Sequence, residues 1–187
     1  KNRQPAAVIF VEKSENLLKK LGLEKAKIQV KLNPSEDYNL FGKENISILF
    51  QANTGFPLKP IQTAISGGER SRVMLAVKKI IAETTSLPTL ILDEIDTGVS
   101  GKVADEMGKM MQEMSKDLQL IVISHLAQVA AKGNNNYKVV KFEKNGKTQS
   151  TIVLLSKEEK LQEIAQLLSG AVVTEAALQQ AKELIYD

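Results

Sequence analysis

The spacing of hydrophobic and polar positions changes several times along the chain, and each change predicts an element. Residues 6–22 set Ala6, Ala7, Phe10, Leu17, Leu18 and Leu21 among charges and stop at Gly22, which predicts a partly amphipathic helix with a glycine end. Residues 27–32 then alternate polar and apolar, the period of a half-buried strand. Residues 33–45 carry Asn33, Pro34, Ser35, Asp37, Asn39, Gly42 and Asn45, a loop composition. Alternation resumes over 46–52, so the two strands are expected to pair as an antiparallel hairpin with a long connection, broken off by Asn53-Thr54-Gly55-Phe56-Pro57.

Helical spacing returns over 69–83, with Val73, Val77, Ile80 and Ile81 on one face and Lys78, Lys79 and Glu83 elsewhere. Residues 89–92 form a short unbroken apolar run, the pattern of a strand buried on both faces of a parallel sheet. Ser100 is a good N-cap for a helix whose stripe is Val103, Met107, Met110, Met111 and Met114. A second buried-strand run, Leu120-Ile121-Val122-Ile123, completes a βαβ unit with parallel strands. A short helix near 126–132 and a turn at Asn134-Asn135-Asn136 lead into a hairpin of 137–142 with 149–155, signalled by Asn145-Gly146. Two helices close the chain. The first has the capping pair Ser156 and Glu159 with the stripe Leu161, Ile164, Leu168; the second starts near Thr174 and carries Leu178, Ala181 and Leu184 or Ile185. No internal repeat or low-complexity segment interrupts this order.

Composition narrows the chemistry. Hydrophobic residues make up 43% of the 187 and charged residues 25%, enough apolar material for a core of Leu, Ile, Val, Ala and Met, since aromatics are only 4%. No stretch approaches the roughly eighteen apolar residues of a membrane span, and residues 1–5 lack the apolar region of a secretory signal. With no cysteine there are no disulfides and no thiolate zinc site, which fits a cytoplasmic protein, and a single histidine rules out multi-histidine metal ligation. A net charge of +3, with basic residues scattered, does not by itself point to nucleic acid.

Three short motifs, placed on these elements, carry the chemistry. Asp93-Glu94 ends the first buried strand, at the sheet edge where open α/β proteins bind ligands. There the first carboxylate suits Mg²⁺, directly or through water. The second suits the polarisation of an attacking water, a general-base role worth about 10²–10⁴ in rate. Ser66-Gly67-Gly68-Glu69 opens a helix, where small residues and free N–H groups favour phosphate oxygens. His125 comes after the second buried strand and so falls at the same edge as Glu94. Taken singly, each motif is a capped helix start, a charged strand end or a loop histidine. The order of the three is what points to nucleotide hydrolysis. Asn145-Gly146-Lys147-Thr148 is not a P-loop, because Lys141 stands where its first glycine is required and the run lies in a hairpin. The methionine stripe reads as core packing.

These residues resemble the ABC-type ATPase family: Ser66–Glu69 as signature loop, residues 90–94 as Walker B strand, Asp96-Thr97-Gly98-Val99-Ser100 as D-loop and His125 as switch histidine. Residues 66–76, 93–101, 124–131 and 51–55 are similar, more narrowly, to the SMC-related branch that serves bacterial DNA repair and recombination. The resemblance implies an α/β fold, the C-terminal lobe of a P-loop ABC/SMC-like head, with parallel strands, flanking helices and antiparallel hairpins. Residues 1–22 would end a returning coiled-coil helix and residues 23–187 would form the C-terminal half of the head, with the P-loop half absent and the fragment alone inactive.

By the same resemblance ATP is sandwiched between two heads of an ATP-dependent homodimer. Ser66, Gly67, Gly68 and Glu69 would bind the nucleotide held by the opposite head, with Asp96 at the dimer seam. Asp93 would serve Mg²⁺, Glu94 would be the base and His125 would sense the γ-phosphate. The expected partners are the second head, the N-terminal P-loop half and DNA, in a nucleoid-associated cytoplasmic setting without a membrane. The alternatives are the head of another chromosome-organising SMC or ABC-type ATPase, or a non-catalytic interaction lobe.

Overall fold

The structure is a computed structural model that describes residues 2–40 and 42–186. Phe41, inside the expected 33–45 connection, and the terminal Lys1 and Asp187 lie outside the described residues. α1 (Arg3–Lys20) carries Pro5 in its first turn, where a missing N–H is harmless, and ends in a tight turn at Gly22 with φ of 74°. It packs on α3 (Gly67–Thr84) and on the ribbon of β1 (Lys27–Asn39) and β2 (Gly42–Gln51). Leu18, Leu23, Ala26, Ile28, Phe50, Val73 and Ala76 form the core between these elements.

The hairpin pairs as expected, Ile28 opposite Phe50 and Val30 opposite Ile48, but its connection is not a long loop. Asn33 and Pro34 pair with Asn45 and Glu44, the register then shifts, and the strands run on to Asn39 opposite Gly42. Loop-forming residues are tolerated there because the outer ribbon is largely solvent-exposed, so the ladder alone decides the conformation. A two-residue strand, β3 (Lys59–Pro60), adds to β2 and leads into the single-turn α2 (Ile61–Ala64); neither has a periodic signal in the sequence.

β4 (Thr89–Asp93), α4 (Gly101–Met114) and β5 (Gln119–Ile123) form the expected βαβ unit, the strands parallel with Thr89 opposite Gln119 and Asp93 opposite Ile123. One face of this pair is covered. Leu90, Leu92, Leu120 and Val122 pack against the second core, with Leu75, Ile95, Val99, Ala104 and the four methionines of α4. The other face is open, with Ile91, Ile121 and Ile123 each about half exposed. Burial on both faces, expected from the unbroken apolar runs, is therefore not met within the chain.

α3 lies between the two cores, Val73 and Ala76 facing one and Leu75 the other. Ile81, expected on the apolar face, is exposed, whereas Lys79 is buried. The Lys79 ammonium bridges Glu83 at 3.3 Å and Glu113 of α4 at 3.1 Å, and holds the Glu113 carboxyl below its usual range. α5 (Ala127–Ala131), α6 (Lys157–Ser169) and α7 (Glu175–Tyr186) share a third cluster around Ala131, Ile164 and Ala181. The α6 cap is reciprocal, Glu159 N–H donating to Ser156 Oγ and Ser156 N–H to Glu159 Oε2. β6 (Tyr137–Lys144) and β7 (Lys147–Leu154) close through Asn145 and Gly146, both at positive φ, as a two-residue hairpin turn demands.

Candidate functional site

Asp93 and Ile123 are paired residues at the C-terminal ends of the two parallel strands, so the segments beyond them emerge at one edge. Pairing continues one step further, Glu94 N–H donating to the Ile123 carbonyl at 3.3 Å. Glu94 then takes a left-handed conformation, φ 48°. For a non-glycine residue this costs about 1–2 kcal/mol and persists only where neighbours over-determine it. Thr97 does so, its hydroxyl donating to the Glu94 carbonyl at 2.9 Å. The Asp93 and Glu94 side chains are left exposed at the edge while Ile95 turns back into the core.

The start of α3 meets this edge backbone to backbone. A Cβ on Gly68 would lie 2.6 Å from the Gly98 carbonyl oxygen, and one on Gly98 (φ 73°) would lie 3.2 Å from Gly68 Cα and N. Only two glycines permit that approach. Ser71 Oγ adds a hydrogen bond to the Thr97 carbonyl at 3.1 Å, so residues 67–71 and 97–98 form one joined unit. Arg72 ties the same helix start to α1, Nε donating to the Gly68 carbonyl at 3.0 Å and Nη1 to the Leu21 carbonyl at 3.2 Å. Ser66 and Gly67 stay exposed ahead of the joint, where an eighteen-residue helix presents its unpaired N–H groups.

Two of the expected site residues are engaged within the chain itself. Glu69 folds back to accept from Ser66 N–H at 2.9 Å, so this carboxylate serves the helix cap. Asp96, expected at the dimer seam, is fully buried within this chain. Its Oδ2 accepts from Ser124 Oγ, and Ser124 Oγ in turn accepts from Leu126 N–H at 3.0 Å. His125, by contrast, is 70% exposed and brings Nδ1 to 3.8 Å from Asp96 Oδ1. Sequence reasoning missed Ser124 and Thr97 as residues that hold the edge together, since an isolated hydroxyl carries no spacing signal.

The metal expectation meets a limit of ligand supply. Among the described residues no group of three or more His, Cys, Asp or Glu side chains stands ready to hold an ion. Mg²⁺ asks for less than such a group, since it keeps several waters and takes one or two carboxylates together with substrate phosphates. Asp93 stands exposed at the edge, with its carboxylate open to solvent. No helix among the described residues is long and apolar enough to cross a membrane.

Comparison with known proteins finds relatives over nearly the whole chain. Curated relatives include the DNA repair protein RecN of Haemophilus influenzae, 35% identical over 98% of this chain and 33% of that protein. The DNA repair protein RecN of Deinococcus radiodurans is 36% identical over 98% of this chain and 32% of its own length. The chain thus spans about a third of the curated relatives it matches. Among solved structures, the Smc head domain of Pyrococcus yayanosii, with a coiled coil and joint, superposes with a TM-score of 0.66. The match is at 23% identity, over 88% of this chain and 29% of that one. A second structure, from work on ATP-driven dimerization and DNA-stimulated activation of SMC ATPases, gives 0.60 at 22% identity, over 89% of this chain and 94% of its own. These two show the fold, an SMC-type head. The model of the RecF/RecN/SMC N terminal domain matches residues 6–150, and the chain belongs to that family.

Proposed function

We propose that this chain is the lobe of an ATP-hydrolysing head that supplies the signature loop, the Walker B carboxylates, the D-loop and the switch histidine, within an SMC-like bacterial DNA-repair protein. The observation that carries the reading is the joint at Gly68 and Gly98, which brings the exposed helix start of Ser66 and Gly67 onto the edge that presents Asp93, Glu94 and His125. The names of the relatives, DNA repair protein RecN, support the biological setting.

In this reading Asp93 holds Mg²⁺, which when bound neutralises phosphate charge. Glu94, set at the edge by its left-handed backbone, accepts a proton from the attacking water. Ser66 and the N–H groups at the start of α3 receive phosphate oxygens brought by a second head, and the same contacts occur twice about a two-fold axis. ATP that binds only the assembled pair stabilises it by mass action, and hydrolysis releases it.

Residues 1–22 then end a coiled-coil helix and residues 23–187 complete a head whose P-loop comes from another segment. The open face of Ile91, Ile121 and Ile123 supports a further layer over the β4–β5 pair. On this reading the chain alone does not hydrolyse ATP. Co-expression with a P-loop-bearing segment of the same protein tests it. Turnover should appear only in the pair and fall by at least about 10²-fold in Glu94→Gln while ATP binding persists. Unimpaired hydrolysis in Glu94→Gln removes Glu94 from the base role.

A further inference from the structure

Asp96 is a fully buried carboxylate with a hydrogen-bond donor on only one of its two oxygens. Oδ2 has Ser124, whose hydroxyl proton is directed at it because Ser124 Oγ already accepts from Leu126 N–H. Oδ1 is shielded from solvent and has no hydrogen-bond donor. A buried acceptor left in that state costs about 1–3 kcal/mol, more when charged, so a nearby donor is strongly favoured. The ring nitrogen Nδ1 of His125 stands 3.8 Å from that oxygen, about one ångström beyond a charge-assisted hydrogen bond. His125 is 70% exposed and has room to make that move.

We propose that Asp96 is a positioning residue for His125: its Oδ1 accepts the Nδ1 proton, which fixes the imidazole tautomer and ring plane and leaves Nε2 as the outward-facing nitrogen. An exposed imidazole otherwise exchanges tautomers and rotates freely. A buried carboxylate behind it removes both freedoms, as carboxylates do for catalytic and metal-bound histidines. The peptide between Ser124 and Leu126 is held to the same carboxylate, so ring and backbone are anchored at one point. The assignment makes Asp96 part of the site from below its surface and not at its seam. Its meaning for hydrolysis rests on the function proposed above, but the pairing itself needs no nucleotide.

His125 is the only histidine, so ring ¹⁵N signals of the labelled chain belong to one residue. A long-range ¹H–¹⁵N correlation at about pH 9, where a histidine ring is ordinarily neutral, should show Nδ1 protonated and Nε2 bare. Asp96→Ala should lower the ratio of the Nδ1–H to the Nε2–H tautomer by about tenfold or more, the effect of losing one hydrogen bond to a charged group. Ser124→Ala leaves the carboxylate in place and should keep the Nδ1–H form. A wild-type spectrum dominated by Nε2–H overturns the proposal without any variant. So does an Nδ1–H form that survives Asp96→Ala or disappears in Ser124→Ala. Failure of hydrolysis in the assembled head, with the tautomer as described, would count against the function and leave the pairing intact.

Discussion

Gly67 and Gly68 are neighbours in one motif and chemically identical, yet the structure predicts opposite responses to the same methyl group. At Gly67 an added Cβ has no heavy atom within 4 Å. Replacing glycine by alanine there removes unfolded-state freedom and stabilises by about 0.4–1 kcal/mol. At Gly68 the Cβ would sit 2.6 Å from the Gly98 carbonyl oxygen, about 0.8 Å inside the 3.4 Å of ordinary contact. The obstacle is backbone, itself at positive φ and joined to Thr97, so it does not rotate away as a side chain would. Overpacking of this kind costs about 1–3 kcal/mol. Gly68→Ala is therefore expected to be less stable than Gly67→Ala by about 1–3 kcal/mol, because the unfolded-state gain is common to both variants and only the clash differs. For a domain of this size each kcal/mol moves the melting temperature by about 2–4 °C. Urea unfolding followed by far-ultraviolet circular dichroism measures the difference, since the chain has no tryptophan. If the two variants unfold at the same urea concentration with the same slope, the signature start and the D-loop are not in contact and the joint at the heart of the site is wrong.

Packing and charge set three further expectations. Met107 is fully buried under the β4–β5 pair, so Met107→Ala should lose about 2–5 kcal/mol and Met107→Leu less than about 1.5; equal, small losses in urea unfolding would place Met107 outside the core. Burial, with Lys132 nearby, lowers the pKa of Lys160 from 10.5, so the unfolded chain binds the extra proton and stability should rise with pH as the lowered value is passed, until 10.5 is reached. Lys160→Met should flatten that rise relative to wild type in unfolding curves taken between neutral and alkaline pH; an unchanged slope would assign the effect elsewhere. Lys79 keeps the Glu113 carboxyl ionised below its usual range, so the stability this pair contributes is present above pH 4.5 and fades on acidification. Glu113→Gln should lose that acid dependence, so its melting temperatures should lie below those of wild type near neutral pH and converge on them as pH falls below 4.5; a constant offset would assign the effect elsewhere.

Most of the fold was legible because its elements have strong periods. The methionine stripe gave α4, the Ser156 and Glu159 pair gave α6, and Asn145-Gly146 gave a hairpin whose two turn residues are both left-handed. What failed had a physical reason. The outer β1–β2 ribbon pairs through residues of loop composition, because hydrogen bonds of the ladder are indifferent to side chains that face water on both sides. β3 is two residues long and has no period to read. The unbroken apolar runs of β4 and β5 predicted two covered faces, but a sequence cannot say whether the cover lies in the same stretch of chain, and Ile91, Ile121 and Ile123 remain open. At the site, order along the chain singled out Glu94, His125 and the Ser66–Gly68 turn, which the fold brings to one edge. It did not separate exposed residues from supporting ones. Asp96 and Glu69 are carboxylates like Asp93, and only the fold shows that one is buried beneath the edge and the other caps a helix.

The placement of sulfur has a consequence for how the chain meets oxidants. It has no cysteine and five methionines, of which Met107, Met110, Met111 and Met114 are sealed in one core and Met74 alone is substantially exposed. Peroxide therefore finds a single accessible thioether on the folded chain, Met74 of α3. The other four become available only when α4 lifts from β4 and β5. Once oxidised, they turn polar in a core that has no place for them, so reclosure is opposed. Their rate of sulfoxide formation is thus a chemical clock for opening of the βαβ unit. Resistance of this lobe to oxidative damage is set by how rarely that unit opens.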